Sequence, residues 1–130
     1  MSKVADFEDA GTRPRVMVIE DEPLIAIGLR MVLEAMGCDV RAVVDNSDDA
    51  VSTAAGQKLD LILADVRLKG GDDGITAVER ILARQSIAIL FVTGNADELE
   101  RRGWGHMDVL SKPFMPAALE RKVKKILGRQ

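Results

Sequence analysis

Arg15-Val16-Met17-Val18-Ile19-Glu20-Asp21-Glu22-Pro23 is the stretch that decides the fold. From Val16 to Ile19 the run is continuously apolar, the mark of a strand buried on both faces. Glu20-Asp21-Glu22-Pro23 stops it. Proline suits the first turn of a helix, and acidic groups favour its N-terminus. Leu24, Ile25, Ile27, Gly28, Met31, Val32, Ala35 and Met36 then recur at helical spacing, and Gly37 fits the helix end.

The same alternation continues outward. Cys38–Val44 reads as a strand, and Asn46 or Ser47 caps a helix running through Ala55. Leu59–Ala64 reads as a third strand, ending at Asp65. A polar loop with Gly70, Gly71, Asp72 and Asp73 leads to a helix from about Gly74 to Arg84. Ile87–Val92 is a fourth strand, residues 96–102 a short helix, His106–Leu110 a weaker fifth strand, and Met115–Leu127 the closing helix. Five β-α units predict an α/β, doubly wound, five-stranded parallel sheet with right-handed crossovers. Residues 1–13 show no period and read as a mobile lead-in. Residues 14–130 form one domain, as 130 residues allow.

The bulk numbers agree. Apolar residues make up 47% and charged residues 30%, a globular balance. A net charge of −3 excludes a general nucleic-acid signature. Only the last helix is basic, and a solvated face accounts for Arg121, Lys122, Lys124, Lys125 and Arg129 more simply than an acidic partner does. The single cysteine, Cys38, reads as a half-buried structural thiol with no basic neighbour to activate it. No run is long enough to span a membrane and no signal-peptide pattern opens the chain, so a cytoplasmic protein is expected.

In a doubly wound sheet, ligands bind beyond the carboxyl ends of the strands. Those ends carry Glu20 and Asp21 after strand one, Asp65 after strand three, Thr93 and Gly94 after strand four, and Ser111-Lys112-Pro113 after strand five. Three gathered carboxylates repel one another, so either a proton or a cation must neutralise them. Hard oxygen ligands suit Mg²⁺, with Mn²⁺ as a substitute. The lysine adds a point charge of the kind that binds phosphate, and the threonine adds a hydroxyl donor. A nucleophile, a metal, a cation and a donor are the parts that phosphoryl transfer to a carboxylate requires.

These residues resemble the receiver domain of two-component response regulators. The matching segments are VMVIEDEP (16–23), LILADVRL (61–68), FVTGN (91–95) and SKPF (111–114), and the likeness spans about residues 14–128. It implies a flavodoxin-like (βα)5 fold with strand order 2-1-3-4-5. It implies Asp65 as phosphoacceptor, with Mg²⁺ held by Asp21, Asp65 and the backbone carbonyl of Arg67, and with Glu20 acting through a water. Lys112 would hold a phosphoryl oxygen, Thr93 and Gly94 would meet the phosphoryl group, and Lys112-Pro113 would be a cis peptide. The donor would be a sensor histidine kinase or histidine phosphotransfer protein. A downstream protein would read the surface of the fourth and fifth units, and the chain would be a monomer or weak dimer without nucleic-acid or membrane partners.

Three departures qualify the likeness. Val109 stands where many receivers carry Tyr or Phe, so the aromatic switch is missing. Only 19 positions separate Thr93 from Lys112, which predicts a truncated fourth helix. Arg67, two after Asp65, would overlook the phosphoryl group and steer its lifetime. The LADVRLKGGDDG and F-x-T-G stretches look like an alphaproteobacterial subgroup of single-domain receivers, although Asn95 departs from that pattern.

Plainer readings hold elsewhere. Glu22 and Asp72 read as helix-capping acids, and Asp97 and Glu98 as first-turn residues. The Gly70–Gly74 loop lacks the Lys-Ser/Thr of a phosphate loop and reads as a turn. His106 has no second metal ligand near it. Trp104 reads as a packing anchor or an exposed partner contact, the first favoured, and Met17, Met31 and Met36 read as core fillers. For Met107 and Met115 core packing is the default and an adaptable contact face the alternative. Two other functions compete: an aspartyl-phosphate phosphatase, and a binding module that keeps the fold without phosphorylation. The first would carry D-x-D after its first strand, where this chain has Glu20-Asp21-Glu22. The second has no need of the full set of site residues.

Overall fold

A computed structural model describes residues 13–129. The expected lead-in over residues 1–13 lies, apart from Arg13, outside the described residues. The chain runs β1 (Arg15–Ile19), α1 (Pro23–Ala35), β2 (Asp39–Val44), α2 (Ser47–Gly56), β3 (Leu61–Ala64), a 3₁₀ turn (Lys69–Gly71), α3 (Gly74–Leu82), β4 (Ala88–Thr93), α4 (Ala96–Arg101), β5 (Asp108–Ser111) and α5 (Pro116–Leu127). The strands form one sheet, order β2-β1-β3-β4-β5, with every pair parallel. That is the expected architecture, and α4 is short as expected, at six residues.

Strand periodicity splits the core into two layers, because successive side chains point to opposite faces. Met17, Ile19, Ile62, Ala64, Ile89 and Phe91 pack with buried residues of α2, α3 and α4. Val16, Val18, Leu61, Leu63, Leu90 and Val92 pack with α1 and α5. Both faces are covered, which is why these strands read as continuous apolar runs.

Local chemistry sets the ends. α1 stops at Gly37, whose φ of 94° only glycine adopts freely. Its N–H donates to Glu34 O and that of Cys38 to Leu33 O, both at 3.0 Å, which satisfies two terminal carbonyls. Asn46 caps α2 by accepting from Asp49 N at 2.8 Å, and Asp73 caps α3 by accepting from Thr76 N at 2.6 Å. Asp72 ties the loop after β3 to α2, accepting from Ser47 N at 2.7 Å. Glu22 holds the N-cap position of α1, but its side chain makes no capping bond.

Three burial expectations are corrected. Met31 is 65% exposed and Met115 71% exposed, so neither fills the core. On α1 the buried residues are Ala26, Leu29 and Leu33, and Leu24 and Ile27 face solvent. Cys38 is fully rather than half buried. The strand ends also shift: β2 opens at Asp39, β3 at Leu61, and β5 occupies Asp108–Ser111 rather than His106–Leu110.

Candidate functional site

Three strands, β1, β3 and β5, each hand one polar group to the same edge of the sheet. Glu20 follows β1, and its N–H donates to Val44 O at 2.9 Å. Asp65 follows β3, and its N–H donates to Ile19 O at 3.0 Å, fixing it beside β1. Lys112 follows β5, and its N–H reaches Thr93 O at 3.0 Å. The Lys112-Pro113 peptide is cis.

The side chains then converge. Lys112 Nζ donates to Glu20 Oε1 at 2.7 Å and to Asp65 Oδ2 at 2.8 Å. Glu20 and Asp65 are 3% and 7% exposed. One oxygen from each of Glu20, Asp21 and Asp65 lies within 4.8 Å of the others. Asp21 is pinned from outside, accepting from Lys69 N at 2.7 Å. Beside the cluster a cleft of about 290 Å³ is lined by Glu20, Asp21, Asp45 and Asp49 among others.

The charges are finely set. Burial pushes the Glu20 carboxyl up, and the bonds from Lys112 and from Glu22 N–H only partly oppose it. Burial alone would lower Lys112, but its bonds to Asp65 and Glu20 outweigh that and hold the ammonium above its usual value. One lysine therefore serves two buried carboxylates, with Asp21 close by.

Asp65 Oδ1 is buried and has no hydrogen-bond partner among the described residues. Buried carboxylate oxygens are rarely left so. An all-oxygen donor set with a surplus of negative charge and an orphaned buried oxygen fits a hard divalent cation.

Thr93 is fully buried, and its hydroxyl accepts from Asn95 N at 3.0 Å, so here it braces the turn into α4. A Cβ on Gly94 would meet nothing within 4 Å, so the backbone there borders open space. Val109 is half-buried and lies in register with Phe91, against which Trp104 packs edge-on at 6.4 Å. Trp104 is thus the packing anchor expected. His106 is exposed and stacks on Trp104.

Two features escaped the sequence reading. Gly74 packs directly on the Asp65 backbone; a Cβ there would overlap the Asp65 carbonyl oxygen. Its N–H also donates to Val66 O at 2.8 Å, locking the exit of β3. A glycine at the first position of a helix, where it is a poor helix former, was the available signal. The second is the pairing of Arg67 with Glu98 across 31 positions at 3.2 Å, which nothing local announces.

A family model described as the response regulator receiver domain matches residues 16–124. The chain belongs to the receiver domain family. Receiver domains serve two-component signalling, where they work with histidine kinases or phosphotransfer proteins. The phyllosphere-induced regulator PhyR of Methylorubrum extorquens is 32% identical over 98% of this chain, which covers 51% of that protein. The chain thus spans about half the length of such curated relatives. The solution structure of the PhyR receiver domain from Erythrobacter litoralis superposes with a TM-score of 0.85 at 30% identity, covering 94% of this chain and 95% of that one. The receiver domain of a Pseudomonas aeruginosa sensor histidine kinase, with a magnesium ion coordinated in its active site cleft, gives a TM-score of 0.77 at 30% identity over 90% and 99% of the two chains. Among the described residues no helix is long and apolar enough to cross a membrane.

Proposed function

We propose that Asp65 accepts a phosphoryl group from a phosphohistidine on a sensor histidine kinase or histidine phosphotransfer protein, in a reaction that needs a divalent cation. The observation that carries this is the convergence of Lys112 on the buried Asp65 and Glu20, with Asp65 Oδ1 left unpartnered.

Asp21, Asp65 and the backbone carbonyl of Arg67 would hold Mg²⁺, or Mn²⁺, with Glu20 contributing through a water. When bound, the cation offsets charge on the phosphoryl oxygens and orients the group for in-line attack. The Asp65 carboxylate attacks phosphorus. A P–O bond forms, the P–N bond to the histidine breaks, and the imidazole leaves with the electron pair and takes up a proton. Lys112 passes from the Asp65 carboxylate to a phosphoryl oxygen, keeping its charge compensated throughout. Thr93 exchanges its bond from Asn95 N–H for one it donates to the phosphoryl group, in the space beside Gly94. That exchange biases a two-state equilibrium of the β4-α4-β5-α5 surface, which a downstream protein reads.

The donor protein docks where α1 leaves the site. Leu24, Ile27 and Met31 are exposed apolar residues of that helix, and Met115 is a fourth just past Lys112-Pro113. Such residues mark an interaction surface. The chain works as a cytoplasmic monomer or weak dimer.

The test is transfer from a phosphohistidine protein, followed by intact mass. One phosphoryl group should move in Mg²⁺ and none in excess EDTA. Transfer at equal rates in EDTA would refute the cation-dependent mechanism.

A further inference from the structure

Arg67 Nε donates to Glu98 Oε1 at 3.2 Å. Glu98 lies in the first turn of α4, and its other carboxylate oxygen is 3.5 Å from Arg102. Arg102 in turn donates to Asp73 Oδ2 at 3.1 Å. Asp73 caps α3, and its backbone bridges that of Arg67. Four charged residues thus close a circuit, Arg67–Glu98–Arg102–Asp73, which ties the segment after Asp65 to α4. The helix it holds is six residues long and buries one side chain, Leu99.

We infer that Arg67 is the residue through which α4 senses the site: a phosphoryl group on Asp65 draws its guanidinium off Glu98 and frees the helix. The inference rests on reading Asp65 as the phosphoacceptor. Only the buried Val66 separates Asp65 from Arg67, so the guanidinium is carried two residues beyond the phosphoacceptor, where β3 has already ended. A phosphoryl group carries roughly −1.5 to −2 charges and three acceptor oxygens, against one charge and two oxygens on Glu98. Its geometry matches the guanidinium fork. The Arg67 side chain is 65% exposed, so it can turn without desolvation. An exposed ion pair favours one arrangement only by about fivefold or less. The tether is therefore strong enough to bias a short helix and weak enough for a nearby dianion to break. Once Arg67 leaves, the Glu98 carboxylate keeps, among the described residues, its long contact to Arg102. The circuit opens at its link to α4, while Asp73 still caps α3 and the sheet is untouched.

The experiment is ¹⁵N NMR of the full chain in Mg²⁺, with and without beryllofluoride as the phosphoryl mimic. It reads the amides of Asp65 and Lys112, those of Ala96–Arg101, and the Nε–H of Arg67. In the wild type the mimic should move all three together. In Glu98→Gln the α4 amides should lie, without mimic, measurably displaced along the line toward their mimic-bound positions, and Arg67→Met should displace them in the same direction. The inference is overturned if α4 in both variants stays at its wild-type mimic-free position. It is equally overturned if the Arg67 Nε–H ignores the mimic while the Asp65 amide responds. A wild type whose Asp65 and Lys112 amides do not respond at all would overturn the phosphoacceptor reading, and this inference with it.

Discussion

Removing Lys112 should expose how much of this fold's stability rests on one ammonium group. Lys112→Met keeps most of the stem's volume and deletes the charge that Glu20 and Asp65 share at 2.7 and 2.8 Å. The two carboxylate side chains are 1% and 8% exposed, so water cannot take over the lysine's role. Breaking a buried ion pair from one side costs about 3–5 kcal/mol, because a buried charge is stranded. Here two carboxylates are stranded, but the raised Glu20 carboxyl can take a proton and limit the loss. A destabilisation of about 3 kcal/mol is therefore expected, a large share of the roughly 5–15 kcal/mol typical of a domain. Urea unfolding without divalent cations gives the number directly. Adding Mg²⁺ should restore part of it, since a ligand at a hundredfold its Kd adds about 2.7 kcal/mol to the native state. A loss under about 1 kcal/mol, unaltered by Mg²⁺, would show that the carboxylates are not jointly dependent on Lys112.

Three further outcomes are expected. Gly74→Ala forces a methyl group onto the Asp65 carbonyl, so it should cost about 1–3 kcal/mol as overpacking does and also weaken Mg²⁺ binding by titration; a fully stable variant with wild-type affinity would contradict the contact. For Asp73, burial pushes the carboxyl up, but the bonds from Thr76 N–H and Arg102 prevail and hold it below the usual range. Its stabilisation is therefore present above the unfolded carboxyl's pKa of about 4 and fades as pH falls through the lower folded value. Wild type should lose its advantage over Asp73→Asn across that acid window, and stability curves that stay parallel there would refute this. Ile27→Asp on the exposed face of α1 should change stability by no more than about 0.5 kcal/mol, yet slow transfer from a phosphohistidine protein at least tenfold while sparing labelling by a small phosphodonor; equal slowing of both would place the effect in the site rather than in docking.

Much of this was legible in the sequence because of where the strands lie. Val16–Ile19 and Leu61–Ala64 are buried on both faces, so their apolar runs are unbroken and the polar residue ending each run marks the site edge. Glu20, Asp21, Asp65 and Lys112 could be picked from that rule and the resemblance together. Helix α1 was harder. Its sequence is apolar on almost every side, so spacing could not say which stripe is buried; Ala26, Leu29 and Leu33 are, and Leu24, Ile27 and Met31 are not. The surplus apolar stripe is itself informative, since folding does not need it. Gly74 left one local mark, a glycine opening a helix, but its contact with the Asp65 carbonyl depends on how the loop after β3 folds back. The Arg67–Glu98 pair left none, because it depends on how close two distant segments come, which no local pattern encodes.

The most direct test of the central claim is intact mass after incubation with a small-molecule phosphodonor and Mg²⁺, comparing wild type with Asp65→Asn. The wild type should gain a single phosphoryl mass that disappears on mild alkaline treatment, as an acyl phosphate does, and Asp65→Asn should gain none. Equal labelling of the two proteins would contradict the account at its root.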